Sequence, residues 1–495
     1  MGRKPLPKMP AITATHIYDY LMCPHRVYLD EFGDKALMDE ESDFQRLLWE
    51  RGSTHEEEAL ERLGLDVCRV DLADPEERER ETFRLMKKGE NFIYQGGLSS
   101  GSMRGRPDLL EKTEGRSRFG SHFYVPVELK SGSAYQDEDA GTLKEHYVLQ
   151  LSFYADVLEQ LQGTKPENGK IIDGEFRVVP VELAPFELDY AQRLSEIRAL
   201  FSGEMPSEPC IGSICGQCHW QTYCLDWAKE RDDVSLVRRV SRPRKESLKK
   251  GGISTVGALA DLAKKKSLPS FDRISTGALQ QMVRRAVVIK QGKPVINSPV
   301  ELPVVELELF FDIETEPWED VCYLYGVVER RKDGQRFLSF FADSHADEER
   351  TWHAFWEYIS GMENYHMYHY APYERRILAQ LSERYSCDPE LFRTFFANST
   401  DLYRVVERHT DWPSHSYSIK SVSKSLGFEY SEPDPGGLKA AMWYQDFAQN
   451  PETGGALKER IIQYNKEDCE AMIVLKDWLV AKSRELEPSR RKGPG

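Results

Sequence analysis

Three groups of residues in this chain carry side chains that could do chemistry. The first lies in RGRPDLLE and VPVELKSG, where Asp108 comes twenty residues before Glu128 and Lys130 follows Glu128 at i+2. On an extended strand Glu128 and Lys130 share a face. Two carboxylates and an ammonium group so placed suit metal-assisted hydrolysis. The acids hold a hard divalent cation, while the lysine orients a water and offsets developing negative charge. The plainer alternative is a surface salt bridge between Glu128 and Lys130 beside an unrelated turn aspartate. The second group is Asp312 and Glu314 in FFDIET, again i and i+2 on a strand, with Tyr464 and Asp468 one helical turn apart in QYNKEDCEAM. Like charges this close repel unless a cation sits between them. The apolar run VVELELFF around the pair argues for a core strand rather than an exposed edge. The third group is Cys215, Cys218 and Cys224 in SICGQCHWQTYC. A thiolate metal site usually takes four ligands, so one is missing locally. Cys210 or His219 could complete a zinc knuckle. The other scattered cysteines read as core or surface thiols.

Elements must carry these groups. Residues 13–32 read as two short helices broken at Cys23-Pro24, with Pro24 suited to a first helical position. Residues 43–63 show a helical pattern interrupted by Gly52. Strand-like FIYQGGL, MRGRPDLLEK and HFYVPVELK follow, then the amphipathic helix LKEHYVLQLSFYADVLEQL at 143–161, the strand FRVVPVEL and another helix. This order fits an α/β fold with a mixed sheet flanked by helices. A second α/β pattern starts near Val304, with VELELFFDIET, VCYLYGVVERR and QRFLSFFAD as strands, then helices around the strand NYHMYHY. Between the two, from Arg238 to Lys293, stand fifteen Lys/Arg against three Asp/Glu, although the whole chain has a net charge of −16. Such a basic island is an electrostatic footprint for a polyanion or a solvated linker. Its KKGGISTVGALADLAKKK resembles half of a helix-hairpin-helix, and a plain helical hairpin fits it as well.

Asp108 with Glu128-Leu129-Lys130 resembles the PD-(D/E)xK nuclease fold, in particular its RecB-like branch. That branch adds an upstream histidine in a G…H helix, matched by Gly52 and His55 in RGSTHE. It also adds a downstream Gln-x3-Tyr helix, matched by Gln150 and Tyr154 in QLSFY. The resemblance implies a restriction-endonuclease-like site in which His55, Asp108, Glu128 and the Leu129 carbonyl hold Mg²⁺ or Mn²⁺. Lys130 would act on the water, with Gln150 and Tyr154 in the catalytic set. Iron–sulfur members of the branch close a cluster with one cysteine near the start of the domain and three near its end. Cys23 in LMCPHRVYL then joins Cys215, Cys218 and Cys224, which implies a [4Fe–4S] cluster, with Zn²⁺ as the alternative.

Asp312, Glu314, Tyr464 and Asp468 together resemble the RNase H-like, DnaQ-type 3′→5′ exonucleases of the DEDD class, tyrosine subtype. The resemblance implies two divalent ions, a water-positioning tyrosine and a mid-chain acid after an aromatic residue. Tyr373-Glu374 in HYAPYERRIL makes Glu374 that acid, where most of the family has aspartate. Asp401 in TDLYRVV takes at most a supporting role, and the lysines of HSYSIKSVSKSLGF could touch a backbone phosphate.

At 495 residues, 40% hydrophobic and 30% charged, the chain is expected to be cytoplasmic and globular, of about three domains, with no membrane span and no signal peptide. The expected boundaries are a RecB-like nuclease domain with its four-cysteine cluster over 1–232, a basic helical connector over 233–300, an RNase H-like exonuclease domain over 301–485 and a disordered tail over 486–495. Together the resemblances imply a metal-dependent DNA nuclease acting on single strands or ends. An RNA-processing nuclease, or a binding module with one or no active centre, is the alternative.

Overall fold

The computed structural model describes residues 9–40, 43–137, 140–316, 318, 320–432, 436–451 and 454–486, without the side chains of 43–51 and 53. From residue 487 onward the expected tail lies outside the described residues. The chain divides into two compact units, one of residues 1–210 and 214–227, the other of 211–213 and 228–495. No helix among the described residues is long and apolar enough to cross a membrane.

The first unit is built on a six-stranded mixed sheet: β1 (Cys68–Arg69), β2 (Phe92–Tyr94), β3 (Leu109–Ser117), β4 (Gly120–Leu129), β5 (Asn168–Ile172) and β6 (Val178–Glu182), in that spatial order. β1–β2 and β4–β5 are parallel, and the other pairs are antiparallel. Alternation along the strands feeds two cores. Ile93, Leu110 and Tyr124 pack with Ile17, Leu149, Phe153 and Val157 of the Ala14–Met22 and Glu145–Gln162 helices. On the opposite face Tyr94, Leu109, Val127 and Leu129 pack with Ala59 and Leu60 of the Asp43–Arg62 helix. Glu128 therefore points to the same side as Tyr124, toward the Glu145–Gln162 helix.

Two local expectations change. Gly52 does not interrupt its helix, which runs unbroken over Asp43–Arg62. Glycine weakens a helix by about 1 kcal/mol but keeps its N–H, so flanking helix formers carry the ladder through. The strand expected across MRGRPDLLEK is instead split into Met103–Gly105 and β3, and Pro107, which has no N–H to donate, lies in the gap.

The second unit carries a five-stranded sheet of β7 (Leu307–Glu316), β8 (Val321–Arg331), β9 (Gly334–Phe341), β10 (Tyr365–His369) and β11 (Ser399–Asp401), ordered β9-β8-β7-β10-β11. The β9-β8-β7 meander is antiparallel, while β10 and β11 add in parallel. On one face Leu309, Phe311 and Val327 meet Trp352, Phe355 and Trp356 of the Glu348–Ser360 helix. On the other, Phe310, Val328 and Tyr368 meet Cys469, Met472, Leu475 and Leu479 of the long Gly455–Leu486 helix. Asp312 and Glu314 share the parity of Phe310 and so look toward that helix. The register shifts at Glu314/Thr315, a bulge of the kind that re-aims side chains at the end of a strand.

The basic segment folds into the helices Arg242–Lys250, Val256–Asp261 and Thr276–Gln291, around a core of Val237, Leu248, Val256, Leu259, Met282 and Ala286. It is fastened within the second unit. Asp411 accepts from Arg285 at 3.0 Å and Asn297 at 2.8 Å, with Arg284 at 3.3 Å. Arg238 donates to Glu407 at 2.7 Å.

Candidate active sites

The first acidic centre lies at the C-terminal end of β4. The Leu129 amide donates to Asp108 Oδ2 at 2.9 Å, which ties the Pro107-Asp108 turn to the strand bearing Glu128. Lys130 Nζ stands 3.7 Å from Asp108 and in direct contact with Glu128. The salt bridge considered from the sequence thus exists, but it is largely buried, with side-chain exposures of 18% for Lys130 and 3% for Glu128. Burial, then the Asp108 charge, pushes the Glu128 carboxyl up to about 7. Burial draws the Lys130 ammonium down, and Glu128 and Asp108 outweigh it, raising the group above its ordinary range. Glu128 Oε1 is buried without a hydrogen-bond partner. His55 Nε2 is likewise buried and unpartnered, its ring stacked on Phe176 with centroids 4.9 Å apart. Tyr154 Oη donates to the Arg106 carbonyl at 3.1 Å, bracing the turn before Asp108, and Gln150 Oε1 is buried with no partner.

Glu56, which sequence reasoning missed, also belongs to this centre. Its carboxylate accepts from Tyr94 Oη at 2.7 Å and Gln95 Nε2 at 2.8 Å. Burial and the nearby Asp108 charge raise it. Its one sequence signal was its place next to His55.

The second centre gathers residues more than 150 positions apart. One carboxylate oxygen each from Asp312, Glu314 and Asp468 lies within 4.8 Å of the other two. All three acids are raised. For Asp312 the causes are burial, then Glu314, Asp468 and Glu374. Glu314, pushed up to about 8, owes it to burial and Asp468. Asp468 owes it to burial, opposed by Lys420 and by hydrogen bonds from Tyr430 and Tyr464. Asp312, partly buried, and Glu314 and Asp468, buried, repel one another with oxygens converging, and so make a donor set for a hard divalent cation. Glu374 stands outside that group but acts on Asp312 electrostatically. It is 3% exposed, no hydrogen bond reaches its Oε2, and burial raises it. His369 Nδ1 lies 3.5 Å from Glu374, while the Ala371 carbonyl is at 2.8 Å. Asp401, expected to have a supporting role, accepts from the Ala371 amide at 3.0 Å. That contact holds Ala371 at a φ of 83°, the left-handed turn that feeds the helix bearing Glu374.

Three further residues complete this centre. Lys420 bonds its Nζ to Tyr464 Oη and sits 4.7 Å above that ring. Tyr430 donates to Asp468 Oδ1 at 2.7 Å. Asn465 donates to Asp312 Oδ2 at 2.8 Å. Lys420 lies in the stretch whose lysines stood out as phosphate contacts, whereas Tyr430 and Asn465 carry no local signal.

The thiols meet at one cavity of about 110 Å³. Cys23, Cys210, Cys215, Cys218 and Cys224 all line it, with Arg26 and Trp220. Cys218 is pushed up to about 11 by burial, with Cys23 and Cys215 adding to the rise and Arg26 opposing it. The cavity thus brings the sequence-distant Cys23 to the C-terminal cysteines and offers more thiols than four ligand positions require. His219, the other local candidate, bonds its Nε2 to Asp30 at 2.6 Å.

A model of the PD-(D/E)XK nuclease superfamily matches residues 22–225, and one of the RNase_H superfamily matches residues 309–480. No curated protein matches the chain. The two matched spans enclose the two acidic centres, and the chain joins a PD-(D/E)XK nuclease superfamily domain to an RNase H superfamily domain.

Proposed function

We propose that this protein is a divalent-metal-dependent deoxyribonuclease with two hydrolytic centres, acting exonucleolytically on single strands or DNA ends. The main support is the second centre, where Asp312, Glu314 and Asp468 present oxygens within 4.8 Å of one another, Glu314 and Asp468 being buried. At the first centre the unpartnered, buried Glu128 Oε1 and His55 Nε2 support a cation site as well.

In the first centre His55, Asp108, Glu128 and the Leu129 carbonyl would hold Mg²⁺ or Mn²⁺. In the second, Asp312, Glu314, Glu374 and Asp468 would do so. A bound cation supplies Lewis acidity toward the phosphodiester and relieves the repulsion among the acids. Lys130 orients the attacking water and offsets charge developing on the phosphoryl oxygens. Tyr154 and Gln150 wall the site, Tyr154 by fixing the Arg106–Asp108 turn. In the second centre Tyr464 positions the water, and Lys420 holds the Tyr464 hydroxyl in place. The basic helices over 238–293 follow the nucleic-acid backbone and make binding strongly salt-dependent. Cys23, Cys215, Cys218 and Cys224 would hold a [4Fe–4S] cluster, which would close the long loop between the first helices and the end of the domain, a structural role. Brown protein with broad visible absorption and about four irons per chain is expected. Colourless protein with stoichiometric zinc overturns the cluster assignment and favours a site using Cys210.

The deciding test is cleavage of DNA and RNA strands, labelled at either end, by wild type, Asp108→Ala, Asp312→Ala and the double variant with Mg²⁺ or Mn²⁺. Each single variant is expected to lose one product series, and the double variant all cleavage. Equal binding by wild type and double variant, with neither cutting, refutes the proposal. Preferential cutting of RNA reassigns the substrate.

A further inference from the structure

We propose that Asn465 is a positioning residue of the second centre, its side-chain amide fixing Asp312, and that residue 326 is glycine to admit that amide. The inference rests on reading Asp312 and Glu314 as cation ligands, and it adds a residue that no part of that reading requires. Asn465 lies one position after Tyr464 on the long helix and is fully buried. Its Nδ2 donates to Asp312 Oδ2 at 2.8 Å. A neutral donor therefore engages the first acid of the strand pair. It commits one oxygen of Asp312 and leaves the other for a cation.

Gly326 supplies the independent observation. It sits on β8 directly opposite Asp312 in the strand register. A Cβ built on it falls 1.6 Å from Asn465 Oδ1 and 2.8 Å from its Cγ. Those distances exclude every side chain while the amide stays in place. The φ of Gly326 is not positive, so backbone conformation does not demand a glycine here. Glycine in a strand interior weakens the strand and marks a close approach, and the approaching group is the Asn465 amide. That amide leaves its Oδ1 buried without a hydrogen-bond partner, an arrangement that costs stability. A residue kept only for packing would be better served by an apolar side chain. A carboxylate at 465 would keep the shape and set a further negative charge against Asp312.

The test uses the full-length Asp108→Ala protein, so that the second centre is observed alone. Mn²⁺ binding is measured by calorimetry, alongside kcat and KM on a labelled strand and the melting temperature. Asn465→Ala is expected to weaken Mn²⁺ binding about 10- to 100-fold, the usual effect of losing a group that orients a ligand. It should lower kcat and leave KM for the strand within twofold. Asn465→Asp should bind Mn²⁺ no better than Asn465→Ala. Gly326→Ala should reproduce the loss by displacing the amide, and combining it with Asn465→Ala should add little. Should Gly326→Ala not fold, Asn465→Ala and Asn465→Asp decide alone. Mn²⁺ affinity within twofold of the parent in Asn465→Ala, even with a lowered melting temperature, overturns the inference. Asp312→Ala serves as the control. If it leaves Mn²⁺ binding intact, the metal reading of the centre fails. If it abolishes binding while Asn465→Ala does not, only the role of Asn465 falls.

Discussion

Replacing Arg285 with methionine removes the buried cation that clamps the basic helices to the rest of the second unit. Arg285 and Asp411 are each only 1% exposed at the side chain, so solvent screens their interaction little. Removing one partner of such a pair typically costs 3–5 kcal/mol, because the other charge stays buried. Asp411 keeps two donors, the Asn297 amide at 2.8 Å and Arg284 at 3.3 Å, the latter half in solvent. The lower end, about 3 kcal/mol, is therefore expected. Methionine is long enough to leave only a small void. Local opening of the Thr276–Gln291 helix should become easier by the same amount. At about 1.4 kcal/mol per tenfold, its slowest amides should exchange roughly 150-fold faster. Hydrogen exchange read by mass spectrometry on peptides from 276–291 makes the measurement locally, without assuming two-state unfolding of the whole chain. Arg285→Met with Asp411→Leu should recover part of the loss, since no buried charge is then left unpaired and Arg284 is half in solvent. Exchange in 276–291 within threefold of wild type in Arg285→Met would refute the reasoning. The helical segment would then be held by its apolar contacts alone.

Three other outcomes are expected. Metal-free protein in EDTA should melt at a higher temperature when Glu314 is changed to Gln, by about 2–4 °C for each 1 kcal/mol of repulsion removed, and saturating Mg²⁺ should stabilise wild type more than the variant. No Mg²⁺-dependent shift in wild type would contradict the convergence of the three acids on a cation. Lys130→Met, tested in an Asp312→Ala background, should lower cleavage by the first centre about 10²- to 10⁴-fold with little change in KM, and a rate within tenfold of the parent would remove Lys130 from the chemistry. Acid should weaken the second unit through His366 and His415, both held below the ordinary histidine range. The first cause is burial in each, opposed by Glu308 at His366 and reinforced by Lys229 and Arg238 at His415. Below pH about 6.5 these two histidines take up more protons in the unfolded chain than in the folded one. The stability these residues contribute is thus complete above that pH and lost as pH falls through the folded values. His366→Gln, which can still meet the Thr400 hydroxyl now 2.8 Å from the ring, should flatten the fall in melting temperature between pH 7 and 5 in saturating Mg²⁺, and an unchanged slope would argue against it.

Much of both centres was legible because strand and helix periods are short. Glu128 with Lys130, and Asp312 with Glu314, share a face whenever the segment is extended. Tyr464 and Asp468 share one whenever it is helical. The strands themselves read from runs such as VCYLYGVVERR, which is buried along nearly its whole length. Gly52 misled, because a glycine lowers helix propensity without forbidding the helix. Tyr430 was not legible as a site residue, since it lies in an ordinary polar stretch and matters only through a partner 38 positions away. Lys420 was legible only as a phosphate contact, and its bond to Tyr464 spans 44 positions.

The sequence alone determined which residues could act as ligands, acids and thiols, and the faces on which neighbouring ones stand, since these follow from side-chain chemistry and backbone period. Only the tertiary structure decided that Cys23 reaches the cavity of Cys215, Cys218 and Cys224, and that Asn465 enters the gap above Gly326 to hold Asp312. Contacts between remote segments depend on how helices pack on sheets, to within a methyl group. That spacing is set by the whole core and is written in no single stretch of the chain.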